Sequence, residues 1–396
     1  MLAVGDKVEK VESFNIARLL WCCDDLGVEI KALPTELKIS QKTFEKLLKG
    51  ENVLTFGQLQ RIADFFGRSA LFFLESGQIS NKQASGTQYR TLQNQKPAIT
   101  PKLRKLIRAV EKQRKVLIEL TDEDESIEPV AFPELHQLQT LREKAEVVRS
   151  WLGLEESSHY TFDDYRQAIE FRGVFVFVSN AYSGRWQIDK DSPVRGFSLY
   201  YEHYPVISVK KAESKSAQTF TLLHELAHLL LHKDSFIDDE DDLFWSKGKE
   251  QEANELASKV LMPYGCFEQL DFERFPEDQP SEFHVFFEPV AKQLGISTEV
   301  LLVQAVKDKK LDFEQYRLYK SMMSRPRRKP ESPIPRNYRH REPINMFGVP
   351  YVSAVLNALN EKEISLSRAS KYLDGIQVND IKKLESHLLI SANLMQ

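Results

Sequence analysis

Cysteine is scarce in this chain: Cys22, Cys23 and Cys266 are the only three in 396 residues, with no C-x-x-C spacing and no even set. That excludes a disulfide framework and leads us to expect a reducing, cytoplasmic setting, with the adjacent Cys22 and Cys23 read as packing residues rather than a redox pair. No apolar run approaches the ~20 residues needed to cross a bilayer. The first residues carry Asp6 and Glu9 and no apolar stretch, so a signal peptide is not expected there. Neither sign of charge dominates. Lys and Arg number 54 against 58 Asp and Glu, a net charge of −4, so any nucleic-acid or membrane partner must be met by a local patch. What remains, 42% hydrophobic and 28% charged residues over a length suited to two or three cores, is the composition of a soluble globular protein.

Against this ordinary background the stretch from Phe220 to His232 carries chemistry, because it contains the pattern H-E-x-x-H. An α-helix turns about 100° per residue, so His224 and His228 project from one face and can present two imidazole nitrogens to one ion. Glu225, one step round, reaches the ion's open side, where a carboxylate can take a proton from water and later hand it to a leaving amine. The apolar flanks (Phe220, Leu222, Leu223, Leu226, Leu229, Leu230) predict a helix buried on most sides, in which two histidines and a glutamate need partners. The bland alternative is a hydrogen-bonded pair of core histidines beside a solvated glutamate. His232, one further turn along the same face, is a candidate to stabilise an oxyanion or to support a ligand from behind, or else an interfacial histidine at a helix end.

A third ligand is expected from a downstream helix over Glu250 to Pro263. Glu250 and Asn254 are four apart and share a face, so Glu250 can bind metal while the Asn254 amide orients a ligand. Glu252 has Leu256 at the equivalent position, and Glu250 is therefore the chosen ligand. Two imidazoles and a carboxylate form an ordinary catalytic zinc (Zn2+) set with a fourth position left open.

His224-Glu225-Leu226-Ala227-His228, followed by Glu250-x-x-Ala253-Asn254 and Leu261-Met262-Pro263, resembles the ImmA/IrrE family of zinc metallopeptidases in motif order and spacing. The resemblance implies a thermolysin-like arrangement of the active helix and a protein substrate of the Xre-repressor class. Longer members of this layout resemble antitoxins, which implies a toxin partner as the alternative.

The expected fold class is α+β. An N-terminal all-α domain over 1–80 comes first, and a linker and connecting helix over 81–135 follow. A zincin-like peptidase domain with a small sheet and the H-E-x-x-H helix spans 136–320. A basic proline-rich linker over 321–343 leads to a helical C-terminal region over 344–396. Ser40 is a plausible N-cap and Gly50 a plausible C′ residue for a short helix between them, and Thr55 to Phe66 starts another. This arrangement resembles an Xre-type helix-turn-helix domain. Gln41, Lys42 and Lys46 would then be the side chains placed for DNA, although Glu45 interrupts the basic face and Pro34 stands where that family continues a helix. A protein-docking role for the same scaffold is the alternative.

The polar stretch from Gly77 to Lys96 reads as a linker. The helix opened by Thr100-Pro101 carries a basic face (Lys102, Arg104, Lys105, Arg108, Lys112, Lys115), expected to be solvated, with phosphate contact as the alternative. The acidic runs at 122–125 and 238–242 read as a solvated turn and loop, with recruitment of a basic substrate segment or a supplementary cation as the alternatives for the second. Three strands are expected, at 173–178, 196–201 and 205–209. The resemblance implies that an edge strand binds substrate backbone, and the strand at 196–201 is the candidate.

The expected function is a zinc endopeptidase with a fused DNA- or partner-binding domain and no membrane association. Glu225 would be the general base, and His224, His228 and Glu250 the metal ligands. The alternative is an antitoxin-like or transcriptional regulator whose peptidase domain binds a partner without turnover.

Overall fold

The helices at the start of the chain are short because their boundary residues are strong. Helices α1 (Ile16–Leu26), α2 (Leu33–Glu36), α3 (Gln41–Leu48) and α4 (Phe56–Phe66) follow one another with brief connections. Pro34 is the second residue of α2, where its missing N–H leaves no helical bond unmade. The Ser40 hydroxyl accepts from the Thr43 amide at 3.1 Å to begin α3, and Gly50, at φ 84°, lies just past its end. The inward faces meet in a core of Leu19, Cys22, Phe44, Leu47, Leu59, Ile62, Phe66 and Phe73. Cys22 and Cys23 are buried free thiols, and burial pushes both up to about 11, which suits packing and not redox exchange.

This computed structural model describes residues 10–26, 28–66, 68–77, 100–121, 130–155, 159–179, 186–188, 192–211, 214–238, 247–262, 265, 270–323 and 336–393. The expected linker at 78–96, the acidic run at 122–125, Asp239 to Asp242, Cys266 and the proline-rich stretch at 324–335 lie outside them. Two compact units result, one of Met1–Gln93 with Ala98–Lys112, the other of Asn94–Pro97 with Gln113–Gln396.

The basic helix, α5 (Pro101–Thr121), presents only part of the solvated face expected of it: Lys112 and Lys115 are exposed, while Lys102, Arg104, Lys105 and Arg108 are half-buried. In the first unit Arg108 pairs with Asp25, Arg104 donates to the Asp25 carbonyl at 2.7 Å, and the Lys105 amine lies 3.1 Å from the centroid of the Phe65 ring. Burial brings the Lys105 amine down to about 8. In the second unit Arg114 donates to the carbonyls of Tyr204 and His203 and lies over the Tyr201 ring. Long cationic side chains cover apolar and aromatic surface with their stems, and a count of charges along a helix does not reveal this.

The second unit adds α6 (Leu141–Leu152), α7 (Phe162–Phe171), β1 (Phe175–Val178), β2 (Gly196–Leu199), β3 (Val206–Val209), α8 (Lys215–His232), β4 (Phe236–Asp238) and α9 (Lys249–Leu261). After these come α10 (Phe283–Leu294), α11 (Thr298–Lys307), α12 (Phe313–Met322), α13 (Glu342–Asn360), α14 (Leu366–Tyr372) and α15 (Val378–Asn393). The sheet order is β1-β3-β2-β4. β1 runs parallel to β3, while β2 is antiparallel to both β3 and β4. Every residue of β1, β2 and β3 is buried, so these three strands meet water on neither face, while Phe236 and Asp238 of β4 are half-buried.

The alternation of side chains divides those two faces. Val176, Val178, Ile207 and Val209 join the core shared with α7 and α8. Phe177 turns the other way, where Trp186, Phe347 and Tyr351 close around it with ring centroids 4.9 to 6.4 Å apart. The C-terminal stretch beyond residue 344 thus covers the second face of the sheet. Tyr351 donates to the Gln113 side chain at 2.8 Å, and Gln113 in turn donates to the Tyr372 carbonyl at 2.9 Å.

A buried cation ties this layer down. Arg166 on α7 donates to the Val176 carbonyl of β1 at 2.6 Å, to Glu170 at 2.9 Å and to the Asn345 carbonyl of α13 at 2.8 Å. Gly348 makes the approach possible. It breaks α13 at φ 84°, ψ 165°, and a Cβ there would lie 2.1 Å from the Glu170 carboxylate. That backbone region is open almost only to glycine. Gly348→Ala should therefore destabilise the second unit by about 2–4 kcal/mol, the sum of backbone strain and overpacking, read as a lower urea midpoint. A stability equal to the parent would show that the kink relaxes at no cost.

Candidate metal centre

Helix α8 is buried almost without interruption from Gln218 to Leu230, as its all-round apolar sequence requires. Its N-cap is Ser214, and it rests on β2 and β3 and against α9. The contact with the sheet is close at Gly196. A Cβ there would meet Thr221 Cγ2 at 2.8 Å, the Ser208 carbonyl at 2.9 Å and Glu225 Oε1 at 3.0 Å. A side chain at this position of β2 would push the sheet off the helix that carries the motif.

The helical spacing does what the sequence suggested. His224 Nε2 and His228 Nε2 lie 3.0 Å apart, and Glu250 Oε2, from the first turn of α9, is 3.2 Å from the first and 3.4 Å from the second. Together the three residues form a possible metal site. Its chemistry fits a divalent cation. Two imidazole nitrogens and a carboxylate converge at a place where the histidines are at most 1% exposed, and without a cation only protons hold these acceptors together.

Electrostatics show the same demand for positive charge. Burial opposes a charged His224, but Asp238, Glu250 and Glu225 outweigh it and hold this ring up at about 9. Burial takes His228 the other way, down to about 4, against the pull of Glu250. The Glu250 carboxyl is held below the usual range because its two histidine contacts overcome its partial burial. Glu225 is fully buried, and desolvation raises its carboxyl well above normal, opposed by His224 and the Ser198 hydroxyl.

The two glutamates of α9 serve different histidines. Glu252 Oε2 lies 3.3 Å from His232 Nε2, while His232 Nδ1 lies 3.0 Å from His228 Nδ1. His232 therefore stands behind His228, on the ring edge that faces away from Glu250. Asn254 is buried one turn beyond Glu250 on α9.

Two residues escaped the sequence reading. Strand β4 brings Phe236 onto the His228 ring, with centroids 4.1 Å apart and planes 14° from parallel, and Asp238 Oδ1 to 3.7 Å from His224 Nε2. The signal was weak, three residues merging into an acidic run, although an aromatic and an isoleucine just before that run do mark a strand. The strand at 196–201 is corrected here. β2 is paired on both sides, with β3 and β4, so it cannot add a substrate strand, whereas β4 lies at the end of the sheet order.

The DNA candidates lie far along the chain, on α3 in the first unit. Gln41, Lys42 and Lys46 are exposed, but Gln41 donates to Glu45 at 3.3 Å and Lys46 is 3.6 Å from Glu51.

Two expectations follow from the site. Glu250→Ala should lose the bound zinc, about one per chain in the parent, while Glu252→Ala should retain it, as read by elemental analysis. The reverse pattern would exchange their roles. Because His224 holds a proton below about 9 and a metal ligand must shed it, zinc binding at pH 7 should release about one proton. Calorimetry in buffers of different ionisation enthalpy measures this, and affinity should rise as pH approaches 9.

Residues 189–305, which run from just before β2 through α8 and α9 to α11, match the family model described as the IrrE N-terminal-like domain, Peptidase_M78. No curated protein matches the chain. Over the part of the chain that holds His224, His228 and Glu250, the match supports the likeness to the ImmA/IrrE family and a possible zincin-like metallopeptidase.

Proposed function

We propose that the second unit is a zinc-dependent endopeptidase acting on a regulatory protein, with the Xre-repressor class as its substrate. The observation that carries this reading is the convergence of His224, His228 and Glu250 with their ligand atoms 3.0–3.4 Å apart, on the helix pair that matches the peptidase family model. A zinc ion held there would supply the Lewis acidity that polarises a peptide carbonyl and acidifies water.

The chain's own residues supply the remainder. Glu225, next to His224 and shut away from solvent, is the general base. It takes the proton from water and hands it to the leaving amine. His232, with Glu252 behind it, fixes the ring of His228, and Asn254 is assigned to orient Glu250 from the next turn. Hydrolysis is direct, with no acyl-enzyme. Substrate backbone would align along the edge strand β4 rather than β2.

For the first unit we assign recognition of DNA or of a protein partner through α3, where Lys42 is exposed on a face that Glu45 and Glu51 partly neutralise. Such balance favours a docking role at least as much as binding to a phosphate backbone.

Glu225→Gln separates chemistry from metal binding. The variant should keep one zinc per chain and lose at least about 10²-fold in cleavage of a quenched-fluorescence peptide library, the scale of a missing general base. Retained cleavage would remove Glu225 from the mechanism. Loss of zinc would make it a structural residue.

A further inference from the structure

The two imidazoles of the centre are held by different neighbours. Phe220, one turn before His224, keeps its ring centroid 6.4 Å from that histidine, whereas Phe236 lies against His228 with centroids 4.1 Å apart and planes 14° from parallel. Both edges of the His228 ring are engaged, Nε2 toward His224 and Glu250 and Nδ1 toward His232. Its remaining freedom is rotation about the Cβ–Cγ bond, a torsion with only a broad preference of its own. Carbon atoms touch at about 3.5–4.0 Å, so the imidazole cannot turn far before its edge meets the phenyl ring.

Phe236 is itself held in place. It pairs in register with Ser198 of β2, and the buried Ser235 just before it accepts from the Tyr200 amide through its hydroxyl at 3.0 Å. The same ring meets His232, with centroids 5.3 Å apart, and the Lys249 amine lies 5.1 Å over its centroid. Phe236 is only half-buried, so filling the core does not account for an aromatic residue at this place.

On the metal-site reading above, we propose that Phe236 is a positioning residue for His228: its ring sets the plane of the imidazole, and with it the direction of Nε2, and the stack favours the imidazole that holds a cation. The second part follows from charge. An imidazole that shares its Nε2 lone pair with a divalent ion is drained of electron density, and a ring in that state is attracted to the negative face of a phenyl group as a cation is. His232 acts on the Nδ1 edge of the same imidazole and Phe236 on its face, so the two constraints are separate. β4 therefore contributes to the centre through a side chain that makes no bond to the ion.

Substitutions in the full chain separate the ring from its bulk. Phe236→Leu keeps an apolar side chain and removes the π face, while Phe236→Tyr keeps the ring. Zinc affinity, measured by chelator competition, should fall about 3–30-fold in Phe236→Leu, the range of a cation–π contact from exposed to desolvated, and stay at the parent level in Phe236→Tyr. With cobalt(II) in place of zinc, the visible bands, which report ligand geometry, should move in Phe236→Leu and not in Phe236→Tyr. Phe236→Met should repeat the leucine result, and the urea midpoints of the metal-free variants should match the parent. Parent-like affinity and bands in Phe236→Leu overturn the proposal and leave the three-ligand site intact. An equal loss in Phe236→Tyr, or a loss that follows a lowered midpoint from variant to variant, overturns it as well. A parent that takes up neither zinc nor cobalt overturns the metal-site reading itself, and this inference with it.

Discussion

Burial of α8 on every side is the constraint that orders the second unit. A helix with apolar residues all round must be enclosed, and it is, by the sheet on one face and α9 on another. Enclosure makes each polar group on that helix expensive, so the three that it carries in H-E-x-x-H exist only because something nearby compensates them. Glu250 reaches in from the first turn of α9, where the helix dipole also favours a carboxylate. Gly196 yields the space that Glu225 occupies. The rest of the unit, including the second layer on the far side of the sheet, holds that sheet against α8.

The same constraint accounts for how the acidic residues are shared out. Two carboxylates two positions apart on α9 point to different histidines, Glu250 to the inner faces of His224 and His228 and Glu252 to His232 at the outer end. The contacts run as a chain from Glu252 through His232 to His228, so the orientation of a buried ring is set from a partly exposed surface. A carboxylate–imidazole contact of this kind fixes both tautomer and angle, which a ring held by packing alone does not.

What was legible in the sequence was what local period and chemistry determine. His224 and His228 at helical spacing, the choice of Glu250 through its i+4 companion Asn254, and the three β-branched or aromatic strands needed no knowledge of distant contacts. What was hidden depended on packing. Asp238 read as the first residue of a solvated acidic loop, because its strand is too short to show a period and only the register with Gly196 turns it toward His224. The run at 196–201 read as an edge since sheet order is not encoded in any one strand; β4, formed after the helix, returned to cover it. The whole basic face of α5 read as solvated because charge was counted without the aromatic ring and carbonyls that Arg104, Lys105 and Arg108 cover or bind.

The layer beyond residue 344 also sets an order of events in synthesis. Phe177 of β1 is made early, and its covering partners Phe347 and Tyr351 about 170 residues later. Until α13 emerges, Phe177 has only Trp186 of these aromatic partners, and Arg166 has no Asn345 carbonyl to grip. The unit that holds His224, His228 and Glu250 is therefore completed by α13, so that a ribosome stalled after α9 would hold all three residues but no finished sheet to support them.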